Sequence, residues 1–320
     1  MKVVAPSFEI LDGLDHQSLA VRIEACGRIC YKSEDKISED SAEPFVRRIL
    51  KHGHNSVAEM AALTLKVNID GESLASQFFA VIPRYFQIDR LDKKLLLITG
   101  SVRAFRELFQ AHGKVKLVKA LTCFLAQEHP LFFEDLLPRR GLVPQEGVMV
   151  EKMPLEEVDR LPADLLARHR FLAVKFVVNR AVTHEIVRHR PCSFLQESQR
   201  YCRYSEDKFG SEVTFIKPMF FAEGSSEYRL WEKAMVETEK LYLELLATSS
   251  PQAARTVLPN SCKTELIVFA NLSEWFHIFR LRTSPAAEPS MREVMIPLVH
   301  EFGRLYPAQF GELSRTLADI

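Results

Sequence analysis

The residues from Phe171 to Pro191 read FLAVKFVVNRAVTHEIVRHRP, and this stretch decides the fold class. From Phe171 to Val178 the side chains are mostly apolar on both faces, which is typical of a strand at the centre of a sheet. Arg180 to Arg190 follows with helical character and ends at Pro191. The sequence therefore predicts a central strand that leads directly into a short helix.

An arginine-rich stretch, Arg188 to Tyr201, continues from this helix as RHRPCSFLQESQRY. Every formal positive charge nearby is an arginine, and arginine binds phosphate through paired hydrogen bonds and stacks on rings. A salt-bridged surface helix is the alternative interpretation. Because Phe194 and Leu195 interrupt the run, we expect a partly buried segment whose arginines have partners. The stretch predicts a site for an anionic ligand that carries a ring.

The composition limits the classes of function. The chain has 320 residues, 47% of them hydrophobic, and its 42 lysines and arginines equal its 42 acidic residues. Neither a nucleic-acid nor a membrane partner is expected, because no overall positive charge is available to attract one. Six scattered cysteines, together with no signal-peptide pattern and no apolar run of membrane length, predict reduced thiols and a cytoplasmic location.

Hydrophobic periodicity and capping residues predict the remaining elements. Helices are expected over residues 16–31, 41–52, 101–113, 115–128, 225–247 and 250–255, and after Asn271 or Ser273. Strands are expected over residues 63–69, 212–217 and 264–269, with a hairpin over residues 85–90 and 94–99. The pattern indicates a mixed α/β architecture without simple βαβ alternation.

Three further regions are predicted from composition. Residues 70 to about 135 are expected to be largely helical. The stretch from Pro138 to Pro162 is rich in prolines, glycines and charges and is expected to be a loop or lid. One long final helix is expected from Pro285 onward.

Several familiar motifs are absent. His184 and Glu185 resemble the opening of a zinc-protease helix, but Arg188 stands where the second histidine is needed, so no metal site is predicted. No glycine-rich nucleotide loop occurs, so any phosphate must meet side chains. Ser198 and Cys192 lack the context of a nucleophile. We expect Ser198 to hydrogen-bond a ligand and Cys192 to be structural.

Three isolated residues leave alternatives open. His54 follows a helix-ending glycine and either faces solvent or faces a ligand. Arg255 and Arg282 each lie among apolar residues, so each directs its charge into a cleft or forms a structural ion pair.

Four elements of this sequence together resemble the flavin-dependent thymidylate synthases (ThyX). The core element is Arg188-His189-Arg190, seven residues, Ser198, then Arg200-Tyr201. The others are His54 to Glu59, Ala254 to Pro259, and the segment from Asn271 to Arg292. The resemblance implies a single domain over residues 1–320 with a central, mostly antiparallel sheet flanked by helices. Residues 70–170 resemble the family poorly and are expected to be a largely helical insertion.

The resemblance implies reductive methylation of dUMP to dTMP. 5,10-Methylenetetrahydrofolate would supply the carbon, FAD would carry the hydride, and NADPH would be the reductant. Since a reduced flavin can donate hydride, no cysteine nucleophile is required. The family also implies a homotetramer whose active sites are shared between subunits, with dUMP and folate as ligands.

The resemblance also assigns roles to residues. Arg282 would be catalytic, by stabilising negative charge on the uracil. The remaining assignments cover dUMP binding by Glu185, Arg188, Gln196, Ser198, Gln199, Arg200, Arg255 and Arg282, and FAD binding by His54, Ser56, Arg188, His189, Arg190, Gln196, Asn271 and His277.

The sequence departs from the commoner family pattern at six positions: Leu195, Gln196, Gln252, Met60, Ser273 and His277. Ser273 stands where an arginine usually contacts FAD, and His277 replaces an asparagine. These two changes motivate the alternative of a catalytically altered homologue that binds flavin or nucleotide. A synthase that acts on a related pyrimidine nucleotide is a further alternative.

Overall fold

A computed structural model describes residues 1–137, 144–200 and 212–318. The strands are β1 (Lys2–Val4), β2 (Ser7–Ile10), β3 (Ala62–Ile69), β4 (Phe86–Arg90), β5 (Leu95–Ser101), β6 (Val148–Lys152), β7 (Phe171–Asn179), β8 (Ser193–Gln196), β9 (Thr214–Ile216) and β10 (Lys263–Asn271). The helices are α1 (Leu19–Arg28), α2 (Ala42–Lys51), α3 (Glu72–Ala80), α4 (Val102–His112), α5 (Lys116–Glu128), α6 (Pro130–Phe133), α7 (Leu155–Val158), α8 (Ala163–His169), α9 (Arg180–Ile186), α10 (Ser226–Thr248), α11 (Pro251–Ala254), α12 (Leu272–Arg282), α13 (Pro289–Leu305) and α14 (Pro307–Ala318).

The predicted central strand is confirmed as β7. It lies inside an antiparallel sheet of order β2-β7-β10-β8 and pairs with β10 along its whole length. Alternate residues of β7 face two different cores: Ala173 belongs to one, whereas Leu172 and Val174 belong to the other. Both faces are therefore covered, which is why this strand is apolar on both sides.

Helices cover each face of this central sheet. On one face α12 and α13 contribute the buried rings of Trp275, Phe279 and Phe302. On the other face α1 and α2 share a core with a second sheet. No helix among the described residues is long and apolar enough to cross a membrane.

The expectation of a largely helical region from residue 70 to about 135 was only partly right. Helices α3 to α6 are present, and the predicted hairpin is confirmed as the antiparallel pair β4 and β5. These strands join β3 and β6 in a second antiparallel sheet of order β4-β5-β3-β6. Strands β3, β4 and β5 were predicted, but their assembly with β6 into one sheet was not, because it depends on pairing with β3, which precedes the region.

The loop predicted from Pro138 to Pro162 is wrong over its second half. Strand β6 and the short helix α7 lie there, and β6 pairs with β3 from Ile69 to Leu65. This edge strand exposes Met149 and is bounded by prolines, so its sequence resembles a loop. Residues 138–143 lie outside the described part of the chain.

Two other boundaries differ from prediction. The helix expected to reach Arg190 ends at Ile186, and Pro191 disfavours helical geometry only at Arg190, the residue directly before it. The single final helix is two helices, α13 and α14, separated at Tyr306 by the same effect of Pro307. The short strands β1, β2 and β8 were not predicted, because each is stabilised by its neighbour rather than by its own pattern.

Candidate active site

Arg282, the last residue of α12, is held by two elements of the chain. Its Nη1 lies 2.5 Å from Glu185 Oε2, and its Nη2 donates to the Glu185 carbonyl at 3.0 Å. Its Nε donates to His189 Nε2 at 2.9 Å. A guanidinium has five N–H groups, so two remain for a ligand. The ion-pair alternative for Arg282 is thus realised without exhausting its donors.

His189 is a buried and neutral imidazole. Burial, followed by the charges of Arg282 and His277, lowers the pKa of His189 from 6.5 to about 4. Because Nε2 accepts a hydrogen bond from Arg282, the proton of the neutral ring is on Nδ1. The ring of His277 lies 5.9 Å from that of His189 in an edge-on arrangement. His189 therefore presents a hydrogen-bond donor at this site.

Arg188 and Arg190 flank this histidine and are both exposed. Arg190 Nη1 donates to the carbonyl oxygens of Val187 and His189, each at 2.7 Å. We expected the arginines of this stretch to be partly buried, and within one chain that expectation is wrong. The helix ends at Ile186, and the following turn carries these side chains to the surface.

Gln196 and Glu197 are anchored at the end of β8. Gln196 Nε2 donates to Thr183 Oγ1 at 3.0 Å and to Thr264 Oγ1 at 3.3 Å, which leaves its carbonyl oxygen for other contacts. Glu197 is 2% exposed and forms an ion pair of 3.0 Å with Lys263. The strand end is thus fixed by buried polar contacts to β10.

Ser198 and Gln199 follow at once. The Ser198 amide donates to the Cys30 carbonyl at 3.1 Å, and its Oγ accepts from the Arg200 amide at 3.3 Å. Gln199 is 8% exposed, and its Nε2 has no hydrogen-bond partner within the described ranges. Buried donors without partners are rare, so a donor is available here. Arg200 is exposed, and Tyr201 lies outside the described residues.

His54 and Ser56 lie on an exposed turn after α2. The hydroxyl of Tyr31 lies 3.0 Å from His54 Nδ1. Tyr31 follows Cys30, whose carbonyl binds the Ser198 amide. The structure therefore brings His54 into the neighbourhood of Ser198.

The predicted residues form two groups that one chain keeps apart. Arg282, Glu185, His189 and His277 are joined by hydrogen bonds and a ring contact, and His189 precedes β8. Ser198 and Gln199 follow β8, and Ser198 bonds Cys30, next to the Tyr31 that contacts His54. Four residues of strand span roughly 13 Å. Among the described residues, no hydrogen bond, ion pair or ring contact joins the two groups directly.

Asn271 and Arg255 stand apart from both groups. The Asn271 side chain caps α12 by accepting from the Glu274 amide at 2.8 Å, and it donates to the Arg168 carbonyl at 3.0 Å. Both ends of this buried amide are used internally, so its predicted contact with a cofactor stays a prediction. Arg255 is half-buried and begins a short 3-10 helix after α11.

Glu274 was missed by the sequence analysis. It lies three residues before His277 on α12, and ligand atoms of His189, Glu274 and His277 lie within 4.8 Å of one another. The Glu-x-x-His spacing was the available signal. A cation here would face the Arg282 guanidinium and a histidine protonated on Nδ1, so the cluster is poorly suited to a metal.

Cys192 contacts this cluster, with its Sγ 3.9 Å from Glu274 Oε1. Burial, followed by the nearby Glu274 charge, raises the pKa of the Cys192 thiol. A raised pKa disfavours the thiolate, which agrees with the predicted structural role.

A buried charge network behind Ser198 was also missed. Glu265 pairs with Lys32, with Lys263 at 2.6 Å and with Lys175 at 3.0 Å. Burial alone would raise the pKa of Glu265, but Lys263 and Lys32 lower it to about 2. The members of this network come from β7, β10 and the turn after α1, so no local sequence pattern predicted it.

Comparison with known proteins identifies a family model and several relatives that match this chain. The family model for thymidylate synthase complementing protein matches residues 14–79 and 155–308. A flavin-dependent thymidylate synthase of Pyrococcus abyssi is 38% identical over 127 residues, which cover 39% of this chain and 51% of that protein. The enzyme of the same name from Corynebacterium glutamicum is 33% identical over 159 residues, covering 44% of this chain and 61% of that protein.

The matched residues contain both groups of the candidate site, and the strand pair β4 and β5 lies between the two matched segments. The chain spans about half the length of the Pyrococcus relative and somewhat more of the Corynebacterium one. Since the family model covers more than half of the chain, the chain belongs to the thymidylate synthase complementing protein family.

Proposed function

We propose that this protein is a flavin-dependent thymidylate synthase that converts dUMP to dTMP. The carbon donor is 5,10-methylenetetrahydrofolate and the reductant is NADPH. The observation that carries the proposal is Arg282, a guanidinium fixed by Glu185 and neutral His189 with two N–H groups to spare. Two relatives of this chain are named flavin-dependent thymidylate synthase, which supports the same activity.

Arg282 acts on the uracil by electrostatics. Methylation at C5 requires electron density to accumulate at N3 and O4 of the ring, and a preorganised guanidinium stabilises that charge. Glu185 orients Arg282 through its carboxylate and its carbonyl. His189 accepts the third hydrogen bond and keeps the side chain from rotating.

The residues beyond β8 fit the nucleotide. Gln199 Nε2 and Arg180 Nε are both buried and have no hydrogen-bond partner among the described residues. Arg180 Nη2 donates to the Glu197 carbonyl at 3.2 Å, so both donors border the Glu197 to Arg200 segment. Acceptor-rich dUMP supplies what these donors lack. Ser198, Arg200 and Arg255 complete the proposed dUMP contacts, and Gln196 contributes its carbonyl oxygen.

The surface around His189 fits a flavin. Exposed Arg188 and Arg190 offer cations for its phosphates, and His189 offers its Nδ1 proton. His54, Ser56, Asn271 and His277 are proposed to contact the same cofactor. When bound, FAD supplies the hydride that completes the methyl group.

A homotetramer explains why the site residues form two groups. If the Arg282 group of one subunit meets the Ser198 group of another, the exposed arginines gain partners at the shared site. A cytoplasmic location is proposed because the described cysteines are all free thiols, as expected in a reducing compartment.

The test uses the purified full chain. Its absorbance spectrum shows whether a flavin is bound, and release of tritium from C5-labelled dUMP reports turnover in the presence of methylenetetrahydrofolate and NADPH. We expect both. Omission of folate is the control, and release without folate would argue against the synthase.

The second candidate is a homologue that binds flavin or nucleotide without turnover. It is motivated by exposed Ser273, which offers no cation to a flavin, and by His277 beside His189. Bound flavin without tritium release would favour it. Release from labelled dCMP or another pyrimidine nucleotide, but not from dUMP, would favour a related substrate.

A further inference from the structure

A cavity of about 770 Å³ lies between the second sheet and helix α1. Its walls come from residues 15–20 and 22, residues 62–64 of β3, residues 128–132, residues 152–156 with 158, residues 169–171, and Phe269. The volume lies within the usual range for small-molecule sites.

This cavity is separate from the candidate active site. None of the residues proposed to bind dUMP or FAD lines it. Part of its wall, residues 128–132 and 152–154, belongs to the region between the two segments that the family model matches. The enclosure therefore depends on residues outside the matched family segments.

One wall carries a buried cluster of charge. Asp15 accepts from Arg22 and, at 2.7 Å, from Arg170. Arg170 also binds Asp159, which is 41% exposed and screened by water. Arg22 is 6% exposed, donates to the Met60 carbonyl at 2.5 Å, and has no partner for its Nη2 among the described residues. The buried part of this wall therefore has more positive than negative charge.

Another part of the lining carries His129 and Lys152. His129 Nε2 is buried and also has no partner in the described ranges. Lys152 lies near enough to act on it, since burial and then the Lys152 charge lower the pKa of His129. Lys152 is exposed and forms no ion pair within the described part of the chain. Glu128 and Glu156, both exposed, also line the cavity.

Aromatic and aliphatic side chains complete the lining. Phe269 lies under Arg22, with the guanidinium carbon 4.8 Å from the ring centre. Phe132, Phe171 and Leu63 add apolar surface. Apolar walls with a few convergent polar groups are typical of ligand pockets.

We propose that this cavity binds a small organic anion with an aromatic ring. The ring packs against Phe132, Phe171 and Phe269, and the anionic group takes the unpartnered donors of Arg22 and Lys152. The oxygens of an anionic group accept hydrogen bonds from these donors without bringing a donor of their own.

The test is equilibrium dialysis of 8-anilinonaphthalene-1-sulfonate against the full chain, and variants of residues that line the cavity separate binding there from binding at the candidate active site. We expect about one probe per chain with a Kd on the order of micromolar. Lys152→Met should weaken binding about tenfold, because one charge-assisted contact is lost. Lys93→Met, which removes an exposed lysine outside the cavity, should leave binding unchanged.

Two further measurements make the test decisive. Ala20→Phe fills the cavity and should abolish binding, and Leu131→Trp replaces it if the first variant fails to fold. Benzoate should displace the probe at concentrations at which inorganic phosphate does not. The proposal is overturned if no probe binds, if all variants bind equally, or if phosphate displaces the probe and benzoate does not.

Discussion

Arg282 donates hydrogen bonds to Glu185 and His189, which fix its position. This arrangement predicts how the loss of Arg282 will affect turnover. Arg282→Ala should lower kcat by roughly 10²- to 10³-fold, because stabilisation of the developing negative charge is lost. Flavin should stay bound, since Arg188 and His189 remain. Flavin absorbance and tritium release measure the two effects. Arg280→Ala, an exposed arginine on the same helix, is the matched control. Near-normal turnover of Arg282→Ala would remove its catalytic role.

His189 predicts a pH dependence of stability. Its folded pKa is about 4, against 6.5 for the ordinary imidazole. As the pH falls, the unfolded chain therefore binds a proton at His189 before the folded chain does. The stability that neutral His189 contributes is complete above pH 6.5 and is lost as the pH falls towards 4. The full size of this loss is about 3 kcal/mol, reached when the pH has fallen below 4.

The variant His189→Gln keeps a hydrogen-bond acceptor for Arg282 but cannot titrate. Urea unfolding at pH 7 and pH 5 should show a smaller loss of stability for this variant than for the wild type. Equal losses in the two proteins would contradict the buried, neutral state of His189.

At the scale of elements, the start of α12 depends on one buried side chain. Asn271→Ala removes the cap on the Glu274 amide and leaves the Arg168 carbonyl without its donor. We expect a loss of about 2 kcal/mol, at the upper end for a cap because the position is 5% exposed. Ser225→Ala removes the cap of α10 in a more exposed setting and should cost less. Chemical denaturation measures the loss of folding stability in both variants. Equal losses would contradict the larger contribution expected from the buried Asn271 cap.

Gly27 sets how closely α1 approaches its neighbours. A Cβ added there would lie 2.6 Å from Val57 Cγ1 and 2.9 Å from the Phe45 ring. In an exposed helix Gly→Ala stabilises by about 1 kcal/mol, but here overpacking reverses the sign and costs about 1–3 kcal/mol. Gly13→Ala, with nothing within 4 Å, is the control. A rise in Tm for Gly27→Ala would show that Val57 and Phe45 move aside at little energetic cost, which would contradict the prediction.

At the scale of the whole molecule, the shared-site proposal predicts complementation between subunits. Arg282→Ala and His54→Ala should each be inactive alone. Mixed oligomers should regain roughly a quarter of wild-type activity, because random pairing leaves that share of sites intact. Arg282→Ala mixed with His189→Ala is the control, since both residues belong to one group and no recovery is expected. Lack of recovery in the first mixture, despite exchanged subunits, would place each site within one chain.

Prediction from sequence worked where the cause is local. The Ser101 cap and the central strand were predicted correctly, because short-range pattern and hydrogen bonding determine them. For two other helices the sequence left a choice, Ser225 or Ser226 and Asn271 or Ser273, and the caps are Ser225 and Asn271. Prediction failed for β6 and β8, whose pairing partners are distant in sequence. The roles assigned to the site residues by resemblance stay predictions, and the structure adds the contacts through which they would act.

The sequence by itself determined the fold class, the arginine-rich stretch and the membership of the family through motifs that are contiguous or closely spaced. Only the tertiary structure decided which of those residues meet. Glu185 binds Arg282 rather than the nearby Arg188, and β8 separates His189 from Ser198. The reason is physical: a side chain's partner and its pKa depend on the burial and charges that distant segments bring to it, and no local pattern encodes them.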